Sequence, residues 1–269
     1  MNESQEKQFD FGRNWETYSL RVLDEERLAE ARTSLEELIG AERIRGCRFL
    51  DIGSGSGMFS IAAAQLGAQE VVGVDVNRLC VEVAQGNAFR FCREGSVPRF
   101  VAGSALDQEK LLSLGRFDIV YAWGSLHHTG RMYRAVEVAA GSVAQGGLFV
   151  IAIYNRHFTS RVWRWIKWFY NHLPSFGRRM MAYVFAAIIF VAKFAVTFRN
   201  PLRKRRGMSF MVDVVDWIGG YPYEYASRGE IEEFVTRLGF SLEKFVPAPV
   251  PTGCNEFVFR RRQTKDDGR

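Results

Sequence analysis

The stretch Phe49-Leu50-Asp51-Ile52-Gly53-Ser54-Gly55-Ser56-Gly57-Met58-Phe59 leaves this chain few choices of fold. An apolar run ends in an acid, three alternating glycines follow, and a helical pattern of Ile61, Ala62, Ala63, Ala64 and Leu66 begins. That order predicts a strand, a tight turn and a helix. Glycine permits the turn and leaves no Cβ between the backbone and a ligand. The nicotinamide and flavin fingerprint needs G-x-G-x-x-G, whose third glycine packs helix on sheet. Here the pattern is G-x-G-x-G, and Met58 stands where that third glycine belongs. A carboxylate that closes a buried strand, as Asp51 does in this reading, needs a partner. A cationic or amine-bearing ligand beside the glycines would supply one. A second run, Val71-Val72-Gly73-Val74-Asp75, ends in another acid, 18 residues after Gly57. An acid at the end of the second strand can accept hydrogen bonds from both ribose hydroxyls.

LDIGSGSG followed by VVGVDVN resembles the S-adenosylmethionine site of class I methyltransferases. The resemblance implies that Asp51 faces the methionine part of the cofactor. It implies that Gly53, Gly55 and Gly57, with Ser54 among them, let the backbone approach it, and that Asp75, with Val76 beside it, holds the ribose. The alternative is a Rossmann-type fold with another nucleotide or none. Many members of the family carry an acid after the glycine that ends the third strand, where it accepts from the adenine amino group. This chain has Gly103-Ser104-Ala105-Leu106-Asp107 instead. Ser104 makes the contact, or Asp107 reaches in, or backbone groups at Ser104 and Ala105 suffice. Asp107 reads equally well as the N-cap of a helix over 108–114.

Phe117 to Trp123 is expected as the central fourth strand, and it runs into Gly124-Ser125-Leu126-His127-His128-Thr129-Gly130. Open α/β sheets bind ligands beyond the carboxyl ends of their strands. Two of the four histidines stand there. The loop resembles the W-G-x-L-H-H element of small-molecule methyltransferases. By that resemblance Trp123, Gly124 and Leu126 line the cofactor and a histidine faces the acceptor. A general base must reach the acceptor proton and have a pKa near neutrality. His127 or His128 could serve; His128 is favoured here, and one of the two is expected only to order the loop. Upstream, Phe9-Asp10-Phe11-Gly12-Arg13-Asn14-Trp15-Glu16-Thr17-Tyr18 is expected to dock the N-terminus on the core. Tyr18 or Trp15 would form a flap over the cofactor. A helix is expected from Leu20 to Ile39 on the spacing of Leu23, Leu28, Ala31, Leu35 and Leu38.

The net charge of +6 belongs to one segment. Between Arg156 and Arg206 there are 12 bases and no acid; the other 24 bases are outnumbered by 30 acids. The same segment interleaves Phe158, Trp163, Trp165, Trp168, Phe169 and Tyr170 with Arg161, Arg164 and Lys167. It then runs apolar from Met180 to Phe198, broken only by Lys193. By length that run is a membrane-spanning candidate. Strands expected on both sides of it, the later ones an antiparallel pair at 240–246 and 256–260, exclude a single crossing. An interfacial or re-entrant hairpin remains, or a helical cap whose bases are solvated. Aromatics among bases also suit single-stranded nucleic acid, but the long apolar run offers phosphates nothing, so nucleic acid is the least favoured partner.

The 269 residues, 47% of them hydrophobic, suit one α/β unit with an insertion. The expected architecture is a doubly wound, mostly parallel seven-stranded sheet with an antiparallel final strand. Residues 1–155 would form the cofactor core, 156–207 the helical insertion and 208–269 the end of the sheet. Cys47, Cys80, Cys92 and Cys254 show no C-x-x-C spacing, and the polar start is no signal peptide. Reduced thiols in a cytoplasmic protein, peripheral to the inner face of the membrane, are expected. There is no metal-ligand cluster. The expectation is methyl transfer from S-adenosylmethionine to oxygen of a small-molecule or lipid-linked acceptor, with closest likeness to quinone and sugar O-methyltransferases. The rivals are an RNA methyltransferase and a non-catalytic cofactor-binding protein at a membrane.

Overall fold

The computed structural model describes residues 9, 11–92, 97–197 and 210–263. Arg199 and the basic run Arg203 to Arg206 lie outside the described residues. The chain opens with α1 (Phe11–Arg21), α2 (Glu25–Ile39) and the short α3 (Ala41–Ile44). Five strand–helix alternations follow: β1 (Arg48–Ile52), α4 (Met58–Gln65), β2 (Glu70–Asp75), α5 (Arg78–Phe91), β3 (Arg99–Ala102), α6 (Gln108–Ser113), β4 (Phe117–Trp123), α7 (Met132–Gly141) and β5 (Val143–Tyr154). Then come α8 (Ser160–His172), α9 (Ser175–Thr197), α10 (Phe210–Gly219), α11 (Arg228–Arg237), β6 (Phe240–Val246) and β7 (Cys254–Arg261).

The seven strands form one sheet in the order β3-β2-β1-β4-β5-β7-β6. β1 to β5 are parallel, and β7 runs antiparallel to both neighbours, β5 and β6. Both faces of the sheet are covered. Phe49, Tyr121 and Val150 pack with α1, α2, α4 and α5 on one side, and Leu50, Val120 and Phe149 pack with α6, α7 and α11 on the other. Double coverage explains why β1, β2 and β4 read as nearly continuous apolar runs rather than alternating ones. The order of strands reverses between β1 and β4, so the crevice for a ligand opens at their carboxyl ends.

One expected helix is two. The periodicity from Leu20 to Ile39 is broken at Asp24, whose side chain accepts from the Arg27 amide and caps α2. The Val22 and Leu23 amides close α1 on the Tyr18 carbonyl. The aromatic N-terminal stretch is therefore itself helical. Farther on, Ser227 and Glu230 form a reciprocal capping box at the start of α11, as S-x-x-E spacing predicts. Among the described residues no helix is long and apolar enough to cross a membrane. α9 instead lies with α8 and α10 as a helical layer, its Ala182 and Ala186 buried against Tyr170, Ile218, Phe210 and Val214.

Candidate active site

The turn after β1 hangs from β2: the Gly53 and Ser54 amides both donate to the Val74 carbonyl, at 2.7 and 3.1 Å. Asp75 ties the next part of the turn, its carboxylate accepting from the Gly55 amide at 3.0 Å and the Asn77 amide at 2.8 Å. Gly57 then enters α4 with φ of +76°, where a Cβ would sit 2.7 Å from Phe100 and 2.9 Å from Ala84. So Gly57 serves the packing of helix against sheet, the duty that the nicotinamide fingerprint gives its third glycine.

A cavity of about 1120 Å³ opens beyond the strand ends. Small-molecule pockets usually measure roughly 300–1,000 Å³, so this one has room for a nucleoside cofactor and a second molecule. Asp51, Gly53, Ser54, Asp75, Val76, Ser104, Ala105, Trp123, Gly124, His127 and His128 all line it. Four expected site residues do not. Tyr18 is fully buried behind the wall, donating to Met58 Sδ at 3.3 Å. Its neighbour Trp15 lines the cavity instead and lies against Gly55, where a Cβ would come within 2.9 Å of the indole. Gly55 is shielded by that ring, Gly57 by Phe100, and Leu126 points into the core beneath the loop. These side chains follow the hydrophobic faces of their helices, which the linear pattern could not orient.

Both strand-end acids line the cavity, and the partners they have among the described residues are neutral donors. Asp51 is 3% exposed and accepts from Ser60 Oγ at 2.7 Å. Burial, with Asp75 adding to it, pushes the Asp51 carboxyl up to about 7. Burial likewise raises Asp75, against the two amides and Cys80 that favour its ionised form. Ser54 Oγ is buried with no hydrogen-bond partner among the described residues. A ligand offering an ammonium to Asp51 and hydroxyls to Asp75 matches what these groups lack. Ser104 accepts from the Leu106 amide, and Asp107 caps α6 through the Lys110 amide, exposed and away from the cavity.

The far end of the cavity is aromatic. His127 is 1% exposed and lies 4.2 Å, ring to ring, from Tyr154. Its Nδ1 is buried with no partner among the described residues. Burial, helped by His128 and Lys167, lowers its pKa well below the usual range, while the Ala152 backbone acts the other way. His128 donates or accepts at Nδ1 with the Pro222 carbonyl, 2.7 Å away, and a carbonyl can only accept, so Nδ1 carries the proton. Burial and Lys167 bring His128 down to about 3. The Tyr-Pro-Tyr-Glu loop thus borders this end: the Glu224 amide donates to the His127 carbonyl, and its carboxylate accepts from Met132. Glu256 also lines the cavity and holds Trp123 Nε1 at 3.1 Å, whereas Asn255 shapes the turn by accepting from Ala248.

Lys167, expected with the other bases of the segment at a membrane surface or on a solvated face, is completely buried. It shares a face of α8 with buried Ser160, Tyr170 and Asn171. That three- and four-residue spacing was the available signal. Asp216, Trp217, Tyr154 and Cys254 join the cavity wall from α10, β5 and β7.

The ribosomal protein L11 methyltransferase family model matches residues 31–122. A ubiquinone biosynthesis O-methyltransferase of Methylobacterium sp. (strain 4-46) is 34% identical over 119 residues, 44% of this chain and 45% of that protein. A ribosomal protein L11 methyltransferase of Pelotomaculum thermopropionicum is 39% identical over 101 residues, 37% of this chain and 30% of the relative. The chain thus spans less than half the length of these relatives. Among solved structures, magnesium protoporphyrin IX methyltransferase from Synechocystis PCC 6803 with bound SAH superposes with a TM-score of 0.54 at 15% identity. The match covers 87% of this chain and 83% of that one. An O-methyltransferase family protein from Burkholderia thailandensis gives the same TM-score over 87% of this chain and 56% of its own. With a seven-stranded sheet of this order and a glycine turn slung between two cavity-facing acids, the chain has the class I S-adenosylmethionine-dependent methyltransferase fold, and its first half is similar in sequence to these methyltransferases.

Proposed function

We propose that the protein transfers the methyl group of S-adenosylmethionine to an oxygen of a small-molecule or lipid-linked acceptor. One observation carries this reading: one cavity joins the Asp51 and Asp75 carboxylates to His127. Asp51 would take the amino group of the cofactor, Asp75 its ribose hydroxyls, and the open backbone at Gly53 the space between. When bound, the cofactor supplies an electrophilic methyl carbon on a sulfonium. The chain's own tasks are to align the acceptor, exclude water and receive a proton. His127 suits the last task better than His128. The His127 Nδ1 is buried without a partner among the described residues, so in the Nε2-protonated tautomer it offers a lone pair. His128 Nδ1 donates to the Pro222 carbonyl, which leaves only Nε2 of that ring as a base. The family match ends at Ala122, before this loop and the insertion, so it speaks to the cofactor half and not to a protein acceptor.

The helical layer supports contact with a membrane surface. Phe176, Met180, Tyr183, Val184, Ile188 and Val191 are all exposed along α9, and Val162, Trp165 and Phe169 along α8. Exposed Arg161, Arg164, Arg178 and Arg179 accompany them, with no acid in the segment. Such a face suits the headgroup region of an anionic bilayer. Ile189 of the same α9 lines the cavity, which links that face to the acceptor's entry.

The test is tritium transfer from labelled S-adenosylmethionine into fractionated cell extract, split into lipid and aqueous phases. Label in either phase on an alkali-stable ether sustains the reading; label on ribosomal protein alone replaces it. In parallel, the full chain should float with vesicles rich in anionic lipid, and a Trp165→Ser, Phe169→Ser, Ile188→Ser variant should not.

A further inference from the structure

The acceptor end presents a difficulty that the reading above does not resolve. Two histidines held far below their usual basicity take a proton reluctantly. An ordinary aliphatic hydroxyl would therefore meet no effective base there. The acceptor's own acidity must help, and something must favour its anion.

Behind the wall that contains both histidines sits Lys167. Its stem crosses from α8 into the core, and its Nζ donates to the Trp217 carbonyl of α10. Nζ lies 4.7 Å from the centre of the Tyr223 ring and 5.2 Å from that of Tyr154. Two aromatic faces and one carbonyl stabilise an ammonium at Nζ. The ionisable groups around it come from every element packed there. His127 and His128 belong to the loop after β4, Tyr154 ends β5, Asp216 is on α10, Tyr223 is in the loop before α11, and Cys254 starts β7. Asp216 and Cys254 favour the charged lysine, while burial lowers it to about 7. Five of these neighbours and Trp217 line the cavity: His127, His128, Tyr154, Asp216 and Cys254.

We propose that Lys167 is a positioning residue that makes the acceptor end selective for an acidic hydroxyl, drawing its ionised oxygen to the wall of His127, Tyr154 and Trp217. This rests on the methyltransferase reading and adds the charge state of the acceptor to it. The hydroxyl proton leaves by way of His127 to solvent, since the same ammonium opposes a lasting imidazolium. The acceptor oxygen then bonds to the methyl carbon with its own electron pair. The carbon–sulfur bond breaks toward sulfur, leaving a neutral thioether and a methyl ether. Lys167 gains and loses no bond; it acts only through its field, which is strong where water is excluded.

The probe is 4-nitrophenol, whose ionised form has a visible band, titrated into full-length protein saturated with S-adenosylhomocysteine. The bound probe should ionise at least one pH unit lower than the free probe, a tenfold gain in the phenolate-to-phenol ratio. Lys167→Met should abolish that shift, and Lys167→Arg should keep most of it. If Lys167→Met does not fold, Lys167→Gln, which still offers a donor to the Trp217 carbonyl, takes its place. A wild-type protein that binds the probe only as neutral phenol, or not at all, overturns the proposal, as does an unchanged shift in a folded variant without the charge. Calorimetry of S-adenosylhomocysteine separates the two levels. If it does not bind, the methyltransferase reading falls; if it binds and the spectrum ignores Lys167, only the role of Lys167 falls.

Discussion

The two ends of the cavity are built in opposite ways. The cofactor end comes from a short run of chain, 51–76 with 103–105, in which each strand delivers one acid and the turns between are hydrogen-bonded to the neighbouring strand. The acceptor end collects His127, Tyr154, Trp217 and Cys254 from four separate places, with Lys167 and Tyr223 behind them from two more. The cofactor end can thus be matched to relatives that share little else, and the family match indeed covers it and stops. The acceptor end, assembled by the insertion and the last strands, is free to differ between proteins that use one cofactor.

That contrast can be broken or sharpened by experiment. The largest effect is expected at the acceptor end. His127→Ala should lower methyl transfer to the acceptor found by labelling by about 10²- to 10⁴-fold, with cofactor affinity unchanged by calorimetry. His128→Ala should cost less. An equal loss in both would mean that the pair acts as one unit. Next, Asp75→Ala should weaken S-adenosylmethionine binding by about 10²-fold, because the ribose loses its acceptor and the Gly55 and Asn77 amides lose theirs. Unchanged affinity would remove Asp75 from the cofactor end altogether.

Smaller effects follow. Gly57→Ala should destabilise the fold by about 1–3 kcal/mol in urea unfolding, since its φ is +76° and the added methyl meets Phe100 and Ala84. Cofactor affinity should then fall only in proportion to unfolding. A selective loss of affinity at full stability would give Gly57 a contact with the ligand instead. The smallest effect is that of pH. The folded Asp51 carboxyl sits near 7, above the unfolded value of 3.8, so the folded state holds a proton that the unfolded chain has released. Cofactor-free stability from this group is therefore present at pH 4 and lost as pH rises through 7. An ammonium ligand reverses the preference by favouring the carboxylate. Affinity should be roughly tenfold weaker at pH 6 than at pH 8, and a flat profile in calorimetry would mean that Asp51 meets no ammonium.

The fold was legible because its signals are local. Acid-ended apolar runs, the glycine turn, the cap at Ser227 and the alternation of strands with helices each occupy fewer than about ten residues, within reach of propensity and periodicity. Less legible was the N-terminal break at Asp24, where one polar residue within a continuous helical pattern chose to cap rather than continue. The spacing left Tyr18 and Trp15 both open as the ring at the cavity. Both lie on α1, and only the docking of that helix on α5 and α4 decides which ring turns inward.

Taken alone, the sequence determined the seven-stranded, mostly parallel sheet and the two carboxylates that close its first two strands, because these depend on neighbours along the chain. Tertiary structure decided that His128 Nδ1 meets the Pro222 carbonyl while His127 Nδ1 is buried without a partner among the described residues, and it carried Lys167 into the interior. Those outcomes depend on desolvation and on partners 50 or more residues away, such as the Trp217 carbonyl for Lys167 and the Pro222 carbonyl for His128. A side chain's charge state is set by what surrounds it in space, and no linear spacing encodes that environment.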